Sequence, residues 1–306
     1  MFSNQALKKL IIPLVIEQLL VILVGFCDTI MVSSVGEAAV SAVSLVDSIN
    51  VLLINVFAAL GTGGAVVAAQ FIGQGSLEKA RFSAKQLLLI TAILSLIIMG
   101  VILLFNTSIL HLAFGNVDSG VMNNAETFFL VSALSYPFIA LYNSGAVLFR
   151  AIGNSKISMI TSAIMNVINI IFNTIFIFGL KLGVLGSGLA TLIARMVCCI
   201  VILKCLTNKD NNLYVDDYRH WKFDLVYIKK ILTIGIPSGL ENGMFQFGKI
   251  LVQSLVATFG TYAIAANAVS NNLAQMQIIP GMAMSLAMVT VVGQCVGAND
   301  YKQAKY

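Results

Sequence analysis

Residues 11–20 read IIPLVIEQLL and residues 235–244 read GIPSGLENGM. Laid over one another without a gap, they match Pro13 with Pro237 and Glu17 with Glu241, an offset of 224 residues (237 − 13). The same offset pairs Gly36 with Gly260, Ala39 with Ala263, Ala42 with Ala266, Gln70 with Gln294, Gly73 with Gly297 and Ala80 with Ala304. Thirteen of 73 aligned positions agree, no more than shared apolar composition gives in bulk. The signal lies in their clustering: proline heads a span, and glutamine and glycine mark its far loop, all in one register.

What is repeated is membrane-embedded. Of 306 residues, 58% are apolar and 10% charged, with a mean hydropathy of +0.94. A soluble domain carries about a quarter of its residues as Asp, Glu, Lys and Arg, so these charges cannot cover a water-facing surface. An ordinary cytoplasmic enzyme is excluded, and so is disorder, which needs low hydrophobicity and high net charge. The five cysteines show no C-x-x-C spacing, and the two histidines, His111 and His220, fall in different predicted loops, which leaves no framework for a shared metal site.

A helix crosses the hydrocarbon core with roughly 20 apolar residues. Eight stretches qualify, over 10–32, 42–69, 86–105, 125–149, 157–178, 184–206, 227–258 and 263–292. One repeat therefore holds six spans, an even number, and the second copy enters the membrane in the same direction as the first. Parallel repeats of this kind are a transporter design. We expect an all-α polytopic bundle: an N-terminal six-helix lobe over 1–206, a cytoplasmic connector over 207–224 containing Asp216, Asp217 and Arg219, and a partial C-terminal lobe of two helices over 225–306. Lys305 and Tyr306 correspond to Arg81 and Phe82, just ahead of a third helix, so the expectation is a complete molecule of about twice 224 residues, of which this chain is a shortened part.

Orientation follows from the basic residues, which are retained on the cytoplasmic side of short loops. With the N-terminus inside, 15 of the 18 fall in cytoplasmic segments, one (Lys181) on the opposite side, and Arg195 and Lys249 within spans. The net charge of +5 is thus a topology signal and implies no nucleic acid. Pro13, Glu17 and Asp28 interrupt the first apolar run and no small-x-small cleavage site follows, so it is an uncleaved helix and not a secretory leader.

Polar groups inside spans cost at least about 2.5 to 3.5 kcal/mol when charged and mark ion or substrate paths. Asp28 lies eleven residues after Glu17, and eleven steps of 100° come within about 20° of whole turns, placing both carboxyls on one helix face. A carboxyl alternating between dry and wet settings carries a proton or holds sodium; the plainer reading of Asp28 is a cap in interfacial water. Asn166, Asn169 and Asn173 form a stripe at i, i+3 and i+7, and Thr191 and Arg195 sit one turn apart on the sixth span. Interhelical hydrogen bonding is the alternative for all of these, as it is for Asp47 and Asn50. Arg195 either weakens cation binding or snorkels to the interface. Glu241, Phe245 and Lys249 share one face of the seventh span, where pairing or packing competes with a role in coupling or in attracting organic cations to Phe245. All four prolines, Pro13, Pro137, Pro237 and Pro280, fall inside spans, where they bend helices as fixed shape or as hinges. GTGGAVVAAQFIGQG, residues 61–75, lacks the Lys-Ser/Thr of a phosphate loop and reads as close helix packing that ends in a turn.

IIP at the first span, GFCDTIMVSSVG at its end, GTGGAVVAAQFIGQG, YPFIALYNSGAVLFRAIGNSKISM, NVINIIFNTIFIFG and GVLGSGLATLIAR occur in that order. Together they resemble the multidrug and toxic compound extrusion (MATE) family of cation-coupled antiporters, over the whole of this chain and about two thirds of a full member. The resemblance implies twelve helices in two lobes around a cavity that opens alternately to either side. It also implies that Asp28, Asn169, Asn173 and Thr191 match a cation-coupling cluster, with CDTIM standing for the family's VDTIM-like motif. Several members place aspartate where Asn173 stands, which leaves Asp28 as the main titrating group. Glutamate in the seventh helix binds cation or substrate in some members, commonly one turn further from the proline than Glu241.

The function expected is a monomeric antiporter of the inner or plasma membrane, with its N-terminus cytoplasmic. It exports organic cations or other amphipathic compounds in exchange for H+ or Na+, with no cofactor and no metal besides Na+. Two rival functions make different demands on the sequence. A lipid-linked saccharide flippase of the same superfamily wants several cavity cations, and only Arg195 and Lys249 are available. An intramembrane enzyme needs a D-D-x-x-D cluster or an H-E-x-x-H pair, and neither occurs.

Overall fold

The computed structural model describes residues 3–115, 118–215, 223–257 and 261–305. Eight long helices follow one another: α1 (Asn4–Ser33), α2 (Glu37–Gly73), α3 (Leu77–Phe114), α4 (Ser119–Ala151), α5 (Ser155–Asn173), α6 (Gly183–Leu206), α7 (Leu225–Ala257) and α8 (Thr261–Gly297), with a short α9 (Tyr301–Lys305). Among the described residues there is no strand. Six of the expected spans lie inside one of these helices; 157–178 runs through α5 into the turn Thr174–Gly179, and 227–258 ends one residue beyond α7, outside the described residues. Among the described residues, seven helices are long and apolar enough to cross a membrane: α1 to α6, with the turn after α5, and Gln277–Gly297 of α8. That is one fewer than expected. α7 has the length, but Ser238, Glu241, Asn242, Gln246 and Lys249 dilute its apolar run. His111, expected in a loop, belongs to the last turn of α3.

α4 packs against α2, α3 and α6, and α5 packs against α1 and α6, which makes the six-helix lobe; α7 and α8 lie on α2, and α8 also meets α1. The buried core runs through Phe57, Leu87, Phe129, Tyr136, Phe149 and Ile202. Helices continue on both sides of Pro13, Pro137, Pro237 and Pro280. The Ser155 hydroxyl donates to the Leu10 carbonyl at 2.7 Å and lies 3.5 Å from that of Lys9, where proline at position 13 frees a backbone acceptor that a bundle must re-satisfy. The non-helical residue within α3 is Phe105 (φ −121°, ψ 21°), at a place with no proline.

The repeat is visible bond for bond. After α2, the N–H groups of Gln74, Gly75 and Ser76 donate to the carbonyls of Gln70, Ile72 and Phe71; after α8, those of Ala298, Asn299 and Asp300 donate to Gln294, Val296 and Cys295, each 224 residues on (298 − 74). Gly75 (φ 73°) and its counterpart Asn299 (φ 59°) share the left-handed conformation that glycine and asparagine tolerate best. α2 and α8 cross where their glycines meet the other's backbone: a Cβ on Gly73 would land on the Gln294 carbonyl, and one on Gly297 on the Gln70 carbonyl. The contact is the same patch used twice, as a two-fold relation between repeats requires. Gly63 likewise lets α2 approach the Ile231 carbonyl of α7, so residues 61–75 do pack closely and end in a turn.

Candidate functional site

A cavity of about 150 Å³ lies between α1, α2, α4 and α6, toward the end of the bundle opposite the N-terminus. α1 contributes Asp28 and Thr29, α2 Asp47 and Asn50, and α6 Thr191 and Arg195. α5 stands behind this lining and braces it. Asn173 Nδ2 donates to Asp28 Oδ1 at 2.8 Å and to Asn169 Oδ1 at 3.0 Å, and Asn169 Nδ2 donates to Thr191 Oγ1 at 3.2 Å. The stripe spacing on α5 lets one helix face hold α1 and α6 together. Asn173 is fully buried, and its Oδ1 has no hydrogen-bond partner among the described residues. Buried acceptors are normally satisfied, and this unpartnered oxygen belongs to the amide that donates to Asp28.

A second string approaches from α4. Tyr136 Oη donates to Asn50 Oδ1 at 2.5 Å, and Asn50 Nδ2 donates to Asp47 Oδ1 at 3.1 Å. Arg195 Nη1 donates to Ser135 Oγ at 2.7 Å, which turns the guanidinium into the cavity with Asp28 and Asp47 and away from the interface. The snorkelling alternative for Arg195 is thereby set aside. Tyr136 opens the stretch quoted for the resemblance and Ser135 precedes it, yet nothing in their spacing singled them out; their partners are 86 and 60 residues distant.

The structure groups the expected residues unevenly. Asp28, Asp47, Thr191 and Arg195 line one cavity, and Asn169 and Asn173 stand behind it, bonded to Thr191 and Asp28. Glu17 does not: it faces α5 as its eleven-residue spacing requires, but about 16 Å along the helix from Asp28 at 1.5 Å per residue. There Glu17 Oε2 accepts from Ser158 Oγ at 2.6 Å, and Oε1 lies 3.8 Å from Arg150 Nη1, both side chains nearly buried. Glu241 and Phe245 are exposed on α7, and Lys249 Nζ lies 4.9 Å from the Phe245 ring centre. Lys249 thus takes the aromatic face that an organic cation was expected to use. Asp216, Asp217, Arg219 and His220 lie outside the described residues.

A family model described as MatE matches residues 13–175 and 237–306, well over half of the chain. The chain belongs to the MatE family. The two matched blocks of this MatE chain begin at Pro13 and Pro237, the prolines that head its repeats. It is similar to the uncharacterized transporter YisQ of Bacillus subtilis, 27% identical over 99% of this chain and 69% of that protein. The probable multidrug resistance protein YoeA of the same organism is 26% identical over 88% and 59%, and the multidrug export protein MepA of Staphylococcus haemolyticus 27% over 94% and 63%. Solved MATE structures superpose closely. One in a bent conformation gives a TM-score of 0.91 at 25% identity over 99% of this chain and 67% of that one. An outward-facing multidrug resistance transporter gives 0.91 at 25% over 98% and 66%. This MatE chain thus spans about 59 to 69% of the length of these relatives.

Proposed function

We propose that the whole protein is a secondary active antiporter that exports organic cations or other amphipathic compounds in exchange for protons or sodium ions, with Asp28 loading and unloading the coupling ion. The observation that carries this is the Asp28–Asn173 hydrogen bond at the edge of a polar cavity, beside the unpartnered Asn173 Oδ1. At about 150 Å³ the cavity is smaller than the roughly 300 to 1,000 Å³ of drug-sized pockets and has room for a cation with a few waters, at about 30 Å³ each. It therefore suits the coupling ion, while the substrate binds elsewhere. Asn169, Asn173 and Thr191 orient the carboxyl, and Asp47 supplies a second negative charge across the cavity. Arg195 neutralises part of that field and so keeps ion affinity low enough for release. The relatives named as multidrug proteins support the substrate class. The excess of basic residues at the N-terminal end supports a cytoplasmic N-terminus in a cell membrane. We take the unit to be a monomer that needs no cofactor.

The test is efflux from cells expressing the gene in full, comparing wild type with Asp28→Asn under separate proton and sodium gradients. Loss of gradient-driven efflux in the variant is the expected result; unchanged efflux removes Asp28 from the mechanism, and the gradient that sustains wild-type efflux identifies the ion.

A further inference from the structure

At the N-terminal end of the bundle, a groove of about 560 Å³ lies between the start of α1 and the turn from α4 to α5. Ile12, Pro13 and Ile152 make its apolar wall, and Lys8, Lys9 and Lys156 stand on its rim. All three lysines are exposed, and among the described residues no carboxylate pairs with any of them. Two other cations at this end lie on aromatic rings: Arg81 stacks 3.9 Å over the Tyr214 ring, and Lys230 lies over Phe71 and Tyr227. Three like charges gathered on one apolar cleft repel one another unless an anion joins them.

Above each basic group an apolar track rises. Ile12, Ile16, Leu19 and Leu23 follow Lys8 up α1, and Ile160, Ile164, Val167 and Ile171 follow Lys156 up α5, with the same i, i+4, i+7, i+11 spacing and all eight exposed. α1 and α5 are neighbours and run in the same direction. Eleven residues of helix rise about 16 Å, the depth of one leaflet of a hydrocarbon core roughly 30 Å thick. A charged rim at headgroup level with two leaflet-long tracks behind it matches a molecule that has one anionic head and two tails.

We propose that this groove binds an anionic phospholipid of the surrounding bilayer, its phosphate held by Lys8, Lys9 and Lys156 and its acyl chains lying along the two tracks. The lipid bridges α1 to the α4–α5 turn at the end of the bundle remote from the Asp28 cavity. A lysine near an anionic lipid surface contributes about fivefold in affinity, so the three together contribute on the order of a hundredfold.

The experiment is native mass spectrometry of the purified full chain in mild detergent, titrated with dioleoylphosphatidylglycerol or dioleoylphosphatidylcholine. Wild type is expected to retain the phosphatidylglycerol and not the phosphatidylcholine. The K8Q/K9Q/K156Q variant is expected to lose at least tenfold in that affinity, while K79Q/K204Q/K209Q, which removes three exposed lysines elsewhere at the same end, keeps it. K8R/K9R/K156R restores binding if the protein is correctly folded. Equal retention of the two lipids, or equal loss in both glutamine variants, overturns the proposal. So does displacement by inorganic phosphate at a concentration comparable to the lipid, which would mark a free-phosphate site.

Discussion

Glu17 and Asp28 stand on one helix, turned to the same neighbour, and have opposite settings. Glu17 is met by a guanidinium and a hydroxyl inside closed packing. Asp28 is met by an amide at the edge of a cavity. A charge beside an opposite charge is fixed in place, because removing either partner strands the other in the dry interior. Asp28 is bonded by a neutral amide and shares its cavity with Asp47 and Arg195, so its charge is oriented without being locked into a close ion pair. The two acids thus differ in what meets them, and the difference is set by which α5 side chain lies opposite: Ser158, close to Arg150, or Asn173.

The sharpest way to break this contrast is at the fastened end. Arg150→Met should cost about 3 to 5 kcal/mol of stability by leaving Glu17 buried and unpaired, and Glu17→Leu in the same chain should recover most of the loss. Thermal unfolding in detergent measures both; equal melting of single and double variants would show that the pair carries no such constraint. At the Asp28 end the expectation reverses. Asp28→Asn should leave the melting temperature close to wild type and lower gradient-driven efflux by about a hundredfold, or roughly 2.7 kcal/mol. A collapse in stability would make Asp28 another fastener.

The backbone crossing sharpens the same comparison, since it too belongs to the closed end. Gly73→Ala and Gly297→Ala should each cost about 1 to 3 kcal/mol, the range for overpacking, and by the two-fold relation nearly the same amount. Gly25→Ala, where an added Cβ meets nothing within 4 Å, serves as the control in the melting assay. The smallest effect is expected for Thr191→Val, which removes the acceptor of Asn169 Nδ2: about 1 kcal/mol, read as a severalfold fall in efflux with little change in melting.

Much of this was legible in the sequence because it obeys helical periodicity. The asparagine stripe on α5, the shared face of Glu17 and Asp28, and the 224-residue register are all arithmetic on positions within one helix or one repeat. What periodicity does not contain is the partner across a helix interface. The Tyr136–Asn50–Asp47 string and the Ser135–Arg195 bond join residues far apart in the chain, and Glu17's partners Ser158 and Arg150 come from two other helices. Local irregularities also escaped. The non-helical Phe105 has no proline or glycine to announce it, and the turn Thr174–Gly179 after α5 widens to a π-helix within a run of ordinary apolar residues.

The α2–α8 crossing has a consequence for how the two copies of the repeat have drifted apart. A joint built from peptide groups asks only that two residues lack side chains, so every neighbour is free to change identity without loosening it. Few identities survive between the copies, yet Gln70 with Gln294 and Gly73 with Gly297 are among them, and these are the residues whose backbones meet at the crossing. Two of the thirteen shared identities thus fall where peptide groups make the contact between the copies, and the Asp28 position is not among the thirteen.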